Sequence, residues 1–251
     1  VKKFWNFKNE GNRPSLYIYG VIESMDWWGD EVTPNQFKAD LDQLGDVPEL
    51  DVYINSDGGD VFAGQAIHSM LKRHKAHVNV YIDGLAASIA SVIAMAGDTV
   101  YMPRNAMMMI HNPWTFSAGN AAQLRKTADD LDNIRKSLIA AYIDKSGIDE
   151  TRLIELLDAE TWLSADEAIS YGLADEIDQG KEIAASLNAG VLNVNGQDMN
   201  LSKYKNAPKI FVVTAAAQPP ASDPKPEPPR RTRSSLSLYE KILSTNERMS
   251  K

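Results

Sequence analysis

The chain has no cysteine. That absence excludes disulfide staples, thiol nucleophiles and thiolate metal sites, and it fits a reducing compartment. No apolar run reaches the length of a membrane span, so no membrane partner is expected. Histidine is scarce, with four in 251 residues, and the imidazoles and carboxylates lack ligand spacing. Neither a metal nor a cofactor is expected. Positive charge is in the minority: 26 Lys and Arg face 34 Asp and Glu, a net charge of −8 that argues against a nucleic-acid partner. No secretory signal is visible, and the absent initiator Met gives the expectation of a trimmed start. An apolar fraction of 43% over 251 residues suffices for one large domain or two small ones.

What is present is an alternation of strand and helix patterns. Residues 1–15 are polar and aromatic and read as an N-terminal arm. LYIYGVI (16–22) reads as a buried strand, followed by a loop carrying Trp27 and Trp28 that lines a pocket or closes a core edge. Thr33–Pro34 opens a helix to about Leu44. DVYIN (51–55) is a strand running into SDGGDVFAG (56–64), after which a helix extends from Val61 to about Lys75. HVNVYID (77–83), TVYMP (99–103) and AMMMIHNP (106–113) supply three more strands. A long amphipathic helix over about 120–145 follows, then a short helix capped by Asp149 and one opened by a Ser164/Glu167 capping box and ended by Gly172. LADEI (173–177) forms a short return strand. The pattern implies an α/β fold with a mainly parallel sheet flanked by helices. Residues 181–217 form a short extension of apolar pieces that includes KIFVVTAAA, and residues 218–251 form a Pro-rich unfolded linker and tail.

Three stretches carry candidate chemistry. YIDGLAASIASVIAMAG (81–97) begins as a strand, turns through Gly84 and enters a small-residue helix with Ser88 near its start. A hydroxyl at such a junction is within reach of an acyl group near a positive helix end. The Gly58–Gly59 pair sits between a strand and a helix, where free amides face an anion or oxyanion. His111 ends a strand in an apolar setting, whereas His68, His74 and His77 read as surface residues. Ligand groups in parallel sheets gather beyond strand ends, which is where all three stretches fall. A serine needs a base, the base needs an acid, and the tetrahedral intermediate needs donors. Ser88, His111, the acidic pair Asp158 and Glu160, and the amides of Gly59 and Ile89 are the matching candidates.

INSDGGDVFAG, DGLAASIASVIAMAG, MMIHNP and ETWLSADEAISYGLADEI, in this order, resemble the Clp protease proteolytic subunit family (ClpP-like serine peptidases) over residues 16–180. The resemblance implies a crotonase-like fold of repeated ββα units and stacked homo-oligomeric rings joined by the long handle helix. It also implies a triad of Ser88, His111 and an acid, with oxyanion donors at Gly59 and Ile89. Gly58, Asp60 and Pro113 are the expected substrate-binding residues. Glu160 stands where the family carries Asp, and Asp158 is the rival acid. SDGG replaces the SPGG of bacterial housekeeping subunits, and no unfoldase loop is recognisable at the N-terminus. GNAAQLRKTADDLDNI (119–134) and DAETWLSADEA (158–168), with the trailing C-terminal extension, resemble the phage and prophage head-maturation branch, which cleaves scaffold and capsid proteins in the host cytoplasm or prohead interior. A housekeeping subunit fed by an ATP-driven AAA+ unfoldase is the alternative.

Other classes remain in view. The same fold hosts acyl-CoA hydratases and isomerases, but those have no need of a Ser88–His111 pair. A Ser–Lys mechanism finds no lysine at a strand end, since Lys72 and Lys75 fall late in a helix. A non-catalytic ring component draws support from Glu160.

Overall fold

The computed structural model describes residues 3–9, 13–23, 33–179, 185–188, 190–194 and 197–208. These fall within one unit, Val1–Thr214; a second, Ala215–Lys251, lies outside them. Trp27 and Trp28, KIFVVTAAA, the Pro-rich linker and the tail are likewise outside the described residues.

The main sheet is ordered β1 (Trp5–Lys8), β2 (Ser15–Tyr19), β3 (Glu49–Ser56), β4 (His77–Ala87), β5 (Thr99–Pro103) and β8 (Glu176–Asp178). Every pairing from β2 to β8 along this path is parallel, and only β1 joins antiparallel. The strand β4 forks. Its first half pairs β5, and residues 85–87 pair β6 (Met107–Ile110), which in turn pairs β7 (Thr161–Ser164) antiparallel. Residues 5–8, read from the sequence as part of an arm, are therefore an edge strand. Trp5 is buried there against Phe4 and Phe37, and that apolar contact holds the segment to the sheet.

Helices α1 (Pro34–Asp42), α2 (Val61–Lys72), α3 (Ile89–Ala94), α4 (Ala121–Ser146), α5 (Glu150–Asp158) and α6 (Ala165–Ser170) complete the layers. Their starts follow local chemistry. Thr33, Asn120 and Ser164 form capping boxes, and Asp149 caps α5; such caps are typically worth about 1 kcal/mol each. The buried stripe of α2, Ala63, Gly64, Ile67 and Leu71, joins the core cluster that includes Val52, Ile54, Val80 and Ile82. The opposite sheet face carries Tyr17, Tyr53, Tyr81 and Tyr101 in direct register, stacked at 4.8–5.0 Å.

Two readings need correction. The chain does not turn at Gly84: β4 continues to Ala87 and breaks at Ser88. The register slips between Ile54 and Ser56, so Gly84 lies in a bulge at φ +151°, a conformation that needs no turn to explain the glycine. Within residues 181–217, read only as short apolar pieces, the described residues also form regular elements. There β9 (Ala185–Asn188), β10 (Val191–Val194) and β11 (Gln197–Asn200) form an antiparallel sheet, followed by a 3-10 turn, Leu201–Lys203. Leu192, Val194, Met199, Leu201 and Tyr204 bury a second core with Leu85, Ala87 and Met109.

Candidate active site

Ser88 occupies the junction of β4 and α3 at φ +56°, ψ −129°. A non-glycine residue there stores about 1–3 kcal/mol of backbone strain, so its surroundings must hold it. The Ser88 amide donates to the Met109 carbonyl at 2.9 Å. Its carbonyl accepts from the Ser91 amide at 3.0 Å and the Ser91 hydroxyl at 2.6 Å. Ser91 Oγ also contacts the buried Tyr142 hydroxyl of α4 at 2.7 Å. With six residues, all buried, α3 is too short to be stable alone, and packing fixes it. Gly64 of α2 admits Ile89, whose Cγ1 lies 2.2 Å from where a Cβ would sit. Ser91→Ala leaves the Tyr142 hydroxyl buried without this partner. The expected cost is about 1–3 kcal/mol of stability, read by urea unfolding.

The glycine pair is fixed by contact. A Cβ on Gly58 (φ +88°) would sit 2.6 Å from Ser88 Cβ, and one on Gly59 (φ +150°) 2.0 Å from the Ile22 carbonyl oxygen. Ile22 bridges this loop: its amide donates to Gly58 O at 2.8 Å, and its carbonyl accepts from Asp60 N–H at 2.7 Å. That bridge uses the groups on either side of the Gly59 amide. Ile89, first in α3, likewise has an amide without an intrahelical acceptor. Asp60 caps α2, accepting from Ala63 N–H at 2.7 Å.

His111 follows β6, and the β4–β6 register, with Ala87 opposite Met109, carries it to Ser88. Nε2 lies 2.8 Å from Ser88 Oγ. Burial pushes the imidazole pKa below its ordinary value, the Glu160 charge opposes that shift, and Lys203 adds to it. The neutral base therefore persists to lower pH than in a free imidazole. The acid limb of the pH–rate profile should fall below about 6.5, and Lys203→Ala should move it upward. Pro113 lies two residues beyond His111, half-buried.

The two candidate acids are engaged elsewhere. Asp158, at the end of α5, accepts from Asn112 Nδ2 at 2.7 Å and Arg135 at 2.8 Å. Glu160, at φ +49°, accepts from the amides of Lys205 at 3.0 Å and Asn206 at 2.6 Å. Among the described residues neither carboxylate is hydrogen-bonded to His111, although Glu160 lies close enough to act on its titration. Residues 203–206 were not foreseen as part of this site. The Tyr204 ring meets His111 edge-on at 5.4 Å and Trp162 at 5.7 Å, and its hydroxyl donates to the Asp57 carbonyl. Lys203 Nζ pairs Asp57 at 2.9 Å. The available signal was apolar spacing at Leu192, Val194, Met199, Leu201 and Tyr204, each too short a run to read as an element.

A strained strand-end serine touching a strand-end imidazole, beside the backbone amides of a glycine turn and of the helix start that follows the serine, is the arrangement of a serine hydrolase. Residues 36–181 match the family model described as Clp protease, and the chain belongs to that family. It is 33% identical over 155 residues to the ATP-dependent Clp protease proteolytic subunit of Bacteroides fragilis, covering 59% of this chain and 74% of that protein. The protein of the same name from Deinococcus radiodurans is 34% identical over 146 residues, covering 57% and 71%. The activity is accordingly that of a serine-type endopeptidase.

Proposed function

We propose that Ser88 is the nucleophile, His111 the general base, Glu160 the orienting acid, and the Gly59 and Ile89 amides the oxyanion donors. The 2.8 Å Ser88–His111 contact at a strained junction carries this reading. His111 takes the hydroxyl proton as Oγ attacks the scissile carbonyl, and the two amides receive the developing oxyanion. His111 then returns the proton to the leaving amine. Water repeats the sequence against the acyl-enzyme, with His111 again as base. Gly58, Asp60 and Pro113 border the path by which an extended peptide enters. A fluorophosphonate probe should label the protein, and Ser88→Ala should abolish the label. Silence from the assembled protein in every folded form that retains Ser88 and His111 would defeat the reading and favour the non-catalytic component; binding of a CoA ester without labelling would favour the acyl-CoA enzyme.

The proposal extends to assembly and substrate. The chain forms homo-oligomeric rings, stacked through α4, that enclose a proteolytic chamber. Leu124 near the start of α4 is exposed, as are Trp114 and Phe116 before it, which supports an apolar contact there. Light scattering should find a ring, and an active monomer would contradict it. The substrates are scaffold and capsid proteins of an assembling phage head, so the protein works in the host cytoplasm or prohead interior. The SDGG loop and the C-terminal extension support that branch. The second reading, a subunit fed by an AAA+ unfoldase, draws on the words "ATP-dependent" in the relatives' name. A neighbouring portal gene favours the first reading, and an adjoining unfoldase gene the second.

A further inference from the structure

The extension sheet lies on the sheet face that Leu85, Ala87 and Met109 present beside Ser88 and His111. Its last turn enters the site with four successive residues. Lys203 holds Asp57, one residue before the glycine pair. Tyr204, almost wholly buried, donates to the Asp57 carbonyl and meets the His111 ring edge-on; the Ser88 hydroxyl is near enough to affect its phenol. Lys205 and Asn206 occupy both carboxylate oxygens of Glu160 through their amides. The extension thus packs against the imidazole and takes up both oxygens of the carboxylate proposed to orient it.

The covered surface is poorly matched to its cover. Asn55 is fully buried, and among the described residues neither its Nδ2 nor its Oδ1 has a hydrogen-bond partner; Asp57 Oδ1 is buried in the same condition. Asn55 Oδ1 and Val194 of β10 both border the space over Gly84, so the unpaired amide faces the extension. Polar groups buried unpaired cost free energy that a fully settled core avoids. Lys203 and Tyr204 engage Asp57 through its other oxygens, but an extended polypeptide laid across this face can supply backbone donors and acceptors to Asn55, which the apolar side chains of β10 do not.

We propose that residues 185–188, 190–194 and 197–208 form a cis-acting cap on the peptide-binding surface, and that a polypeptide substrate takes the same surface when the cap lifts. Lifting removes Tyr204 from the His111 ring and releases Glu160 to His111. The proposal rests on the hydrolase reading above, and its test separates the two.

The test uses the full chain. Val194→Asp places a charge in the buried contact over Gly84 and removes no side chain that touches Ser88, His111 or Glu160. Tyr204→Ala empties the space beside the nucleophile. Fluorophosphonate labelling and cleavage of an unfolded protein should both rise at least tenfold in Val194→Asp, and labelling should rise in Tyr204→Ala. Wild-type or slower rates in variants with native circular dichroism would overturn the cap and make the extension an integral part of the site. Should either variant fail to fold, the wild-type protein answers by hydrogen exchange after modification by a peptidyl chloromethyl ketone. Amides of residues 185–188, 190–194 and 197–207 should lose protection at least tenfold while those of β3 and β4 do not. Unchanged or increased protection of the extension would overturn the proposal. No labelling in any form, native and assembled, would sink the hydrolase reading and the cap with it, whereas wild-type labelling as fast as that of Val194→Asp would sink the cap alone.

Discussion

His111→Ala should lower kcat/KM by about 10⁴–10⁶-fold and abolish fluorophosphonate labelling although Ser88 is still present. The size follows from the contact. At neutral pH a serine hydroxyl is essentially un-ionised, so attack requires a proton acceptor already in place. In the proposed mechanism Nε2 of His111 is that acceptor, at 2.8 Å from Ser88 Oγ. The other histidines cannot substitute: His68 lies in α2, His74 just beyond its end, and His77 at the opposite end of β4 from Ser88. Ser88→Ala should cost about as much, and the double variant little more than either single one, because the two groups act as a unit. The fold should survive both changes. The strain at position 88 is held by backbone groups and Ser91, not by the imidazole. Additive losses would mean that the two residues work separately.

The parts of this site set by local chemistry could be read from the chain. Glycines 58 and 59 announced a backbone approach, and the contacts with Ser88 and Ile22 give the reason. The Thr33–Pro34 pair and the Ser164/Glu167 capping box placed the starts of α1 and α6, because an N-cap bond spans only three positions. The Ser88–His111 meeting was legible because parallel strands deliver their ends to one rim of the sheet. The Gly84 bulge was not legible. It arises from a register slip against β3, a relation between strands that no single segment encodes. The extension sheet was missed for a similar reason: its four-residue strands are stable only when packed on Leu85, Ala87 and Met109, far away in sequence. The positive φ of Glu160, on a residue type with no preference for it, could not be anticipated from composition either.

Glu160→Gln should reduce kcat by about 10²–10⁴-fold, whereas Asp158→Asn should change it less than about threefold. The two carboxylates are two residues apart, but only one acts electrostatically on the imidazole: the Glu160 charge raises the His111 pKa, opposing burial. A negative charge there stabilises the imidazolium that forms during attack, and a neutral amide does not. Asp158 instead closes a contact among Asn112, Arg135 and the end of α5, in which the Arg135 side chain is 23% exposed. Its loss should appear as up to about 1 kcal/mol of stability. The pH profile gives a readout that a purely structural role would leave unmoved. Removing the Glu160 charge lowers the His111 pKa further, so the acid limb should move to lower pH in Glu160→Gln and stay in place in Asp158→Asn. The clamp sharpens the test. Glu160→Gln also weakens the bonds from Lys205 and Asn206, which by itself favours an open site and faster labelling. A loss of turnover despite that loosening isolates the orienting charge as the dominant contribution. The reverse ranking, with Asp158→Asn the slower enzyme, would transfer the role to Asp158.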